Sequence, residues 1–165
     1  MKNNTKKLTA LALTISFAMV LSYIESRIPA FVAIPGIKIG LANIAVIFTL
    51  YKFGAKEAIT VSIIRTLLVS LLFGSPISLI YSVVGAIFSL TSMMLIKKLT
   101  RLTEISVSVL GGVMHNVGQI ATASFMLSTN VVIYYLPFLM LSGTVAGIAV
   151  GIISGILIKR IKLKI

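Results

Sequence analysis

The chain has 165 residues, of which 58% are hydrophobic and only 11% charged, and its mean hydropathy is +1.12. That composition excludes a soluble globular domain and a disordered one, and marks a polytopic membrane protein. A net charge of +12 would suggest nucleic acid in a soluble chain, but the placement of the charges argues against that here.

Six apolar segments follow in order, roughly 8–24, 39–53, 58–73, 76–96, 105–127 and 134–158. A helix needs about 20 residues to cross about 30 Å of hydrocarbon, with about 17 at the lower end. The fourth, fifth and sixth segments meet that length and the first is at the limit. The second and third are short, so one or both should be extended by a loop dipping into the protein. The expectation is an all-α, six-transmembrane-helix bundle forming one domain over residues 1–165.

The first segment stands behind Lys2, Lys6 and Lys7, as the core of a secretory signal does. It has no small-x-small cleavage site before Glu25 and five more segments follow, so it reads as a retained first helix. Ala10, Thr14, Ala18 and Ser22 share one face of it. Small residues let helix backbones approach closely in lipid. That face therefore serves either internal packing or the docking of a partner membrane subunit.

The longest connection runs from Glu25 to about Ile39 and carries Arg27, Pro29, Pro35 and Gly36. Arg27 reads as a solvated loop charge. Pro35 and Gly36 break regular structure, and the next helix should open near Lys38 with backbone N–H groups that attract anions. Lys38 and Asn43 would then project near the outer mouth of a cavity.

Arg65 lies nine residues beyond Lys56, about 13 Å into the third segment at about 1.5 Å per residue. An ionisable residue at that depth is costly and by default suggests a functional site. Its five donors suit a phosphate or carboxylate. The bland alternative is an ion pair with Glu25, the only acid outside the basic loops. In the fourth segment Ser75, Ser78, Ser82, Gly85, Ser89 and Ser92 line one helical face.

The fifth segment holds His115, Asn116 and Gln119, with Gly111, His115, Gly118, Gln119 and Thr122 on one face and Asn116 about 100° further round. Three hydrogen-bonding side chains within five residues at mid-depth form either a polar zipper between helices or a binding site. His115 is ten residues beyond Ile105, so it shares a depth with Arg65. One His with no Cys or Asp leaves too few ligands for zinc, so no metal and no cofactor is expected. In the last segment Gly143, Gly147, Gly151 and Gly155 recur every four residues, a pattern that reads as internal packing.

With a cytoplasmic N-terminus, the inner segments carry Lys2, Lys6, Lys7, Lys52, Lys56, Lys97, Lys98, Arg101, Lys159, Arg160, Lys162 and Lys164, which is 12 of the 15 basic residues. This is the positive-inside rule, and it places both termini in the cytoplasm of a multi-pass cell-membrane protein. The basic face then meets anionic lipid headgroups rather than nucleic acid. Five tyrosines near helix ends agree with interfacial positions.

Taken together and in order, Glu-x-x-x-Pro, Pro-Gly-Ile-Lys-Ile-Gly-Leu-Ala-Asn, the mid-helix Arg and His-Asn-x-Gly-Gln resemble the heptaprenyl diphosphate synthase component I family, also called Gx transporter proteins. That family is similar to the substrate-binding (S) components of energy-coupling factor transporters. The resemblance implicates Glu25, Pro35, Gly36, Lys38, Gly40, Asn43, Arg65, His115, Asn116 and Gln119 in binding. It also implies that Ala10, Thr14 and Ala18, a loose match to the S-component docking pattern, meet a membrane coupling subunit.

The enzyme name sits badly with these residues. Prenyl elongation needs paired Asp-rich motifs that hold Mg²⁺ against a diphosphate. This chain contains no Asp at all, so it reads as non-catalytic. Two functions follow. One is a membrane substrate-binding subunit for uptake of a small anionic or amphipathic molecule, energised by partner ATPases because the chain has no phosphate-binding loop of its own. The alternative is a non-catalytic membrane partner of a soluble prenyl synthase subunit in heptaprenyl diphosphate or menaquinone side-chain synthesis.

Overall fold

The computed structural model describes residues 2–27, 40–100 and 102–162. Over these residues the chain is all-α. The helices are α1 (Lys2–Arg27), α2 (Asn43–Lys52), α3 (Ala55–Phe73), α4 (Pro76–Leu99), α5 (Glu104–Leu127) and α6 (Leu136–Arg160), with a 3₁₀ turn at Val131–Tyr135 leading into α6.

Local chemistry explains the boundaries. Ser75 caps α4 reciprocally with Ser78: its Oγ accepts from the Ser78 N–H at 3.2 Å, its own N–H donates to Ser78 Oγ at 2.9 Å, and Pro76 follows at the first turn. Thr103 caps α5 by accepting from the Ser106 N–H. Lys52, Lys97, Lys98, Lys159 and Arg160 occupy the last turns of α2, α4 and α6, where cations favour the helix dipole.

The starts of α3 to α6 match the apolar segments to within three residues, whereas α1 opens at Lys2, six residues before its apolar run, and α2 opens late. That helix opens at Asn43, five residues later than the expected Lys38, and is only 10 residues long. Gly40, with φ +79°, takes the left-handed region, and Leu41 and Ala42 form a turn before the helix begins. At about 1.5 Å per residue α2 covers roughly 15 Å, half a bilayer core. It is nonetheless the most enclosed element, with every residue from Ile44 to Leu50 buried.

The helices run alternately, and their contacts gather one set of ends. Lys7 Nζ and Glu57 Oε1 form an ion pair at 2.5 Å, joining the starts of α1 and α3. Lys97 Nζ donates to the Leu50 carbonyl at 2.6 Å, joining the ends of α4 and α2. Gly151 faces the Cα of Ile105, joining the end of α6 to the start of α5. Lys6, Lys7, Lys52, Lys56, Lys97, Lys98, Lys159 and Arg160 therefore belong to one basic end.

The core cluster lies toward that end, with Val46, Ile47 and Leu50 of α2 against Ala58, Met93, Val107 and Val150. The closest packing is between α5 and α6. A Cβ on Gly112 would stand 2.5 Å from the Gly143 carbonyl oxygen, and one on Gly147 would stand 2.6 Å from the Val109 Cα. Gly143, Gly147 and Gly151 thus serve internal packing, as expected, whereas Gly155 meets nothing within 4 Å. The outside is apolar, with Leu13, Leu71, Leu72, Ile77, Phe125 and Leu141 among the exposed side chains. Among the described residues three stretches are long and apolar enough to cross a membrane, Asn4–Arg27, Pro76–Leu99 and Val131–Arg160, so the protein is membrane-associated. The other two long helices, α3 and α5, are the ones that carry Arg65 and the His115–Gln119 cluster.

Candidate functional site

Arg65 lies midway along α3, and its guanidinium reaches to 3.5 Å from Asn43 Oδ1, on the first residue of α2. The buried half-helix therefore starts beside the charge. Glu25, in the last turns of α1, accepts a hydrogen bond from the Gly40 N–H, just before α2. That bond ties the far end of α1 to the entrance of α2. Glu25 is also close enough for its charge to interact with Arg65. Buried Arg65 Nε makes no hydrogen bond with the described protein.

Glu25, Arg65 and His115 line one cavity of about 60 Å³. Its wall is otherwise largely hydroxyl-bearing: Ser22 and Ser26 of α1, Thr66 and Ser70 of α3, and Ser78 and Ser82 of α4. Gly74 and Phe73 border it, so it lies toward the end opposite the basic one. His115 fits against Gly85 of α4, where an added Cβ would stand 2.7 Å from the imidazole Cε1. The notch at Gly85 is what admits the ring.

A second, smaller cavity of about 30 Å³ lies on the other side of His115. Gly40, Asn43, Ser89, Met93, Ser108 and Asn116 are among its lining. His115 is common to both cavities. A third, wider and almost wholly apolar groove of about 290 Å³ runs between α1, α2 and α6, lined by Ala10, Leu13, Thr14, Phe17, Phe48 and Leu157, among others.

These positions sort the residues singled out in the sequence. Glu25, Asn43, Arg65 and His115 come together. Asn116 is buried and lines the smaller cavity, but its Nδ2 donates to the Leu139 carbonyl at 2.6 Å and so ties α5 to α6. Gln119 is buried one turn further along α5, outside the lining of all three cavities. Lys38, Pro35 and Gly36 lie outside the described residues. Ala10 and Thr14 border the apolar groove, while Ala18 is fully buried. Ser22, Thr66, Ser70, Ser78 and Ser82 were not picked out as site residues. The regular serine spacing in α4 was the available signal, and it read equally well as a packing face.

Among the described residues no three His, Cys, Asp or Glu side chains gather as metal ligands. What the arrangement offers is a polar cavity enclosed by helices, with one guanidinium, one imidazole, one carboxylate and a ring of hydroxyls. That is a class of site for recognising a small charged or polar group inside an apolar bundle.

The chain belongs to the heptaprenyl diphosphate synthase component I family, whose profile matches residues 14–157. The match takes in α1 from Thr14, all of α2 to α5, and α6 up to Leu157, so it covers every cavity and groove residue named above except Ala10 and Leu13. No curated protein and no solved structure matches the chain significantly.

Proposed function

We propose that this chain is a multi-pass cell-membrane subunit that captures a small anionic or amphipathic molecule in the Arg65–His115 cavity, with transport energised by partner subunits. The observation that supports the reading most is the guanidinium held beside the first residue of a buried half-helix. Half-helices that begin at mid-depth point the positive end of their dipole at anionic groups. Arg65 adds a full charge at the same place, and His115 and the serine hydroxyls supply further hydrogen-bonding groups.

In this reading all six helices belong to membrane crossings. Both termini and the basic end face the cytoplasm, so the larger polar cavity faces outward, as uptake requires. Membrane lipid covers the apolar exterior. A membrane coupling subunit with its ATPases would dock along the α1 face that carries Ala10 and Thr14.

Native mass spectrometry of the purified full chain tests the core of this proposal. A co-purifying anionic species of defined mass should be retained by the wild type and lost from Arg65→Ala. Retention by Arg65→Ala would reject the site.

A second reading is favoured by the family's description and by the apolar groove. Here the chain is a non-catalytic accessory subunit of heptaprenyl diphosphate synthesis that presents a polyprenyl chain to a soluble synthase subunit. The groove at α1, α2 and α6, of about 290 Å³, has the apolar lining to hold part of such a chain. The same experiment separates the two. A retained polyprenyl diphosphate, lost when Phe48 is changed to Asp, favours the accessory reading; a small polar anion favours uptake.

A further inference from the structure

Some buried hydroxyls in this bundle bond back to their own helix. Thr14, Thr49 and Thr122 each donate to the carbonyl four residues earlier. Ser89, Ser108 and Ser154 do not. Their Oγ atoms, and the Oη of Tyr51, are shut away from solvent without a hydrogen bond to the described protein. Ser89 and Ser108 are each 3% exposed and Ser154 is 0%.

These four atoms sit on four helices, α4, α5, α6 and α2, all between His115 and the basic end. Ser89 is eight residues from Lys97, Ser154 five from Lys159 and Ser108 four from Glu104, about 12, 8 and 6 Å along the helices. Tyr51 is in the last turn of α2, within electrostatic reach of Glu104. Ser89 and Ser108 line the smaller cavity together with His115 and Met93. That cavity offers about 30 Å³ for water centres. One water needs roughly 10–15 Å³ on that measure and two or more polar partners. Both conditions are met, and the interior hydroxyls need such partners.

We propose that the smaller cavity is a built water site, and that bound water and the Ser89, Ser108, Ser154 and Tyr51 hydroxyls form a route by which His115 exchanges protons with the basic end. The imidazolium gives one proton to a cavity water, and that water passes one of its own along the file. One proton leaves to the Glu104 carboxylate or to bulk water, and the imidazole is left neutral. The reverse transfer reloads it. The charged groups that face His115 are Glu25 from α1 and Arg65 from α3, through the larger cavity. Among the described residues, α2, α4 and α6 present no titratable group toward the two cavities, only Asn43, serines, glycines and apolar side chains such as Ile47, Met93 and Val150. The proposal rests on the anion-site reading only in taking the larger cavity as the outer access to His115.

Radiolytic hydroxyl labelling of the full chain in lipid nanodiscs tests the water. Met93 is 2% exposed, so it should be oxidised within the pulse only if water is bound beside it. Labelling of Met93 in the wild type, falling to background in the Ser89→Val/Ser108→Val variant, is the expected result. An unlabelled Met93 in the wild type overturns the proposal.

Proton flux into vesicles reconstituted with the chain, under an imposed pH gradient, tests the route. The wild type should exceed protein-free vesicles, and Ser108→Val and His115→Gln should each return to the protein-free rate. A wild type no faster than protein-free vesicles, or an undiminished Ser108→Val, overturns the route. Arg65→Ala should lose the bound anion yet keep Met93 labelling, so failure of the anion site and failure of the water site read out separately.

Discussion

Arg65 has two competing explanations that a single substitution cannot separate. If it holds a ligand anion, Arg65→Ala should weaken binding by roughly 10–150-fold, the equivalent of about 1.5–3 kcal/mol for a charge-assisted bond, while the chain stays folded. Arg65→Lys should also bind poorly, because an ammonium cannot reproduce a bidentate fork. If Arg65 only balances Glu25, Arg65→Ala should be unstable and Glu25→Gln should restore it. Thermal unfolding in detergent and ligand retention, measured on the same variants, decide between the two. Glu57 gives a residue-scale prediction at the basic end. The Lys7 ammonium bonded to its carboxylate holds Glu57 below its ordinary value of 4.5. Such a depressed acid contributes stability above its unfolded pKa and loses it as pH falls through the lower folded value. The tie between α1 and α3 should therefore loosen only in acid. A carboxyl titration of Glu57 by NMR should move up toward 4.5 in Lys7→Ala.

At the scale of elements, close approach of α5 and α6 is a stability statement that glycine substitutions can check. Gly112→Ala places a methyl group 2.5 Å from the Gly143 carbonyl oxygen, which belongs to backbone and cannot rotate away. It should destabilise by about 1–3 kcal/mol through overpacking. Gly155→Ala meets nothing within 4 Å and should hold or raise the melting temperature, since Ala is the better helix former. Gly143, which stands opposite Gly112, and Gly155 lie on the same regularly spaced surface of α6 but differ in what faces them. Spacing told the first fact and not the second. The bounds of α3 to α6 were legible from the apolar runs, and the caps that the structure shows at Ser75-Pro76 and Thr103 are local chemistry that agrees with them. The start of α2 was not legible, because a left-handed turn at Gly40 and full burial from Ile44 to Leu50 depend on neighbours far along the chain. In the site, Arg65 and His115 were found because a polar group within an apolar run is conspicuous. Asn116 was read as a binding residue, yet its amide is engaged by α6 through the Leu139 carbonyl, a partner 23 residues away that no local pattern reveals.

For the whole molecule, composition and charge asymmetry bear on what the chain does and how it sits. Without a single Asp it has no paired motif to hold Mg²⁺ against a diphosphate. The purified chain should show no prenyl elongation with Mg²⁺ and isopentenyl diphosphate, and turnover by this polypeptide alone would reject the non-catalytic reading. Orientation follows from the other end of the charge ledger. Lys7–Glu57, Lys97–Leu50 and the crossing of α5 with α6 bring the basic helix ends to one side, whereas the opposite links at Gly74-Ser75 and Ser128-Thr129-Asn130 carry no charge. An excess of Lys and Arg in short loops sets the side that stays in the cytoplasm. Reporters fused after Ile165 or within Gly54–Lys56 should therefore read as cytoplasmic, and one inserted between Ser128 and Asn130 as extracytoplasmic. α2 makes this the sharpest test of the bundle. A 10-residue helix covers only about half the hydrocarbon core, yet a six-span arrangement needs the chain before and after it to lie on opposite faces. A reporter placed between Arg27 and Pro29 should then be extracytoplasmic while the Gly54 fusion is not. Matching signals at those two sites would mean that α1 and α2 enter and leave by the same face, and the outward cavity at Arg65 would lose its access.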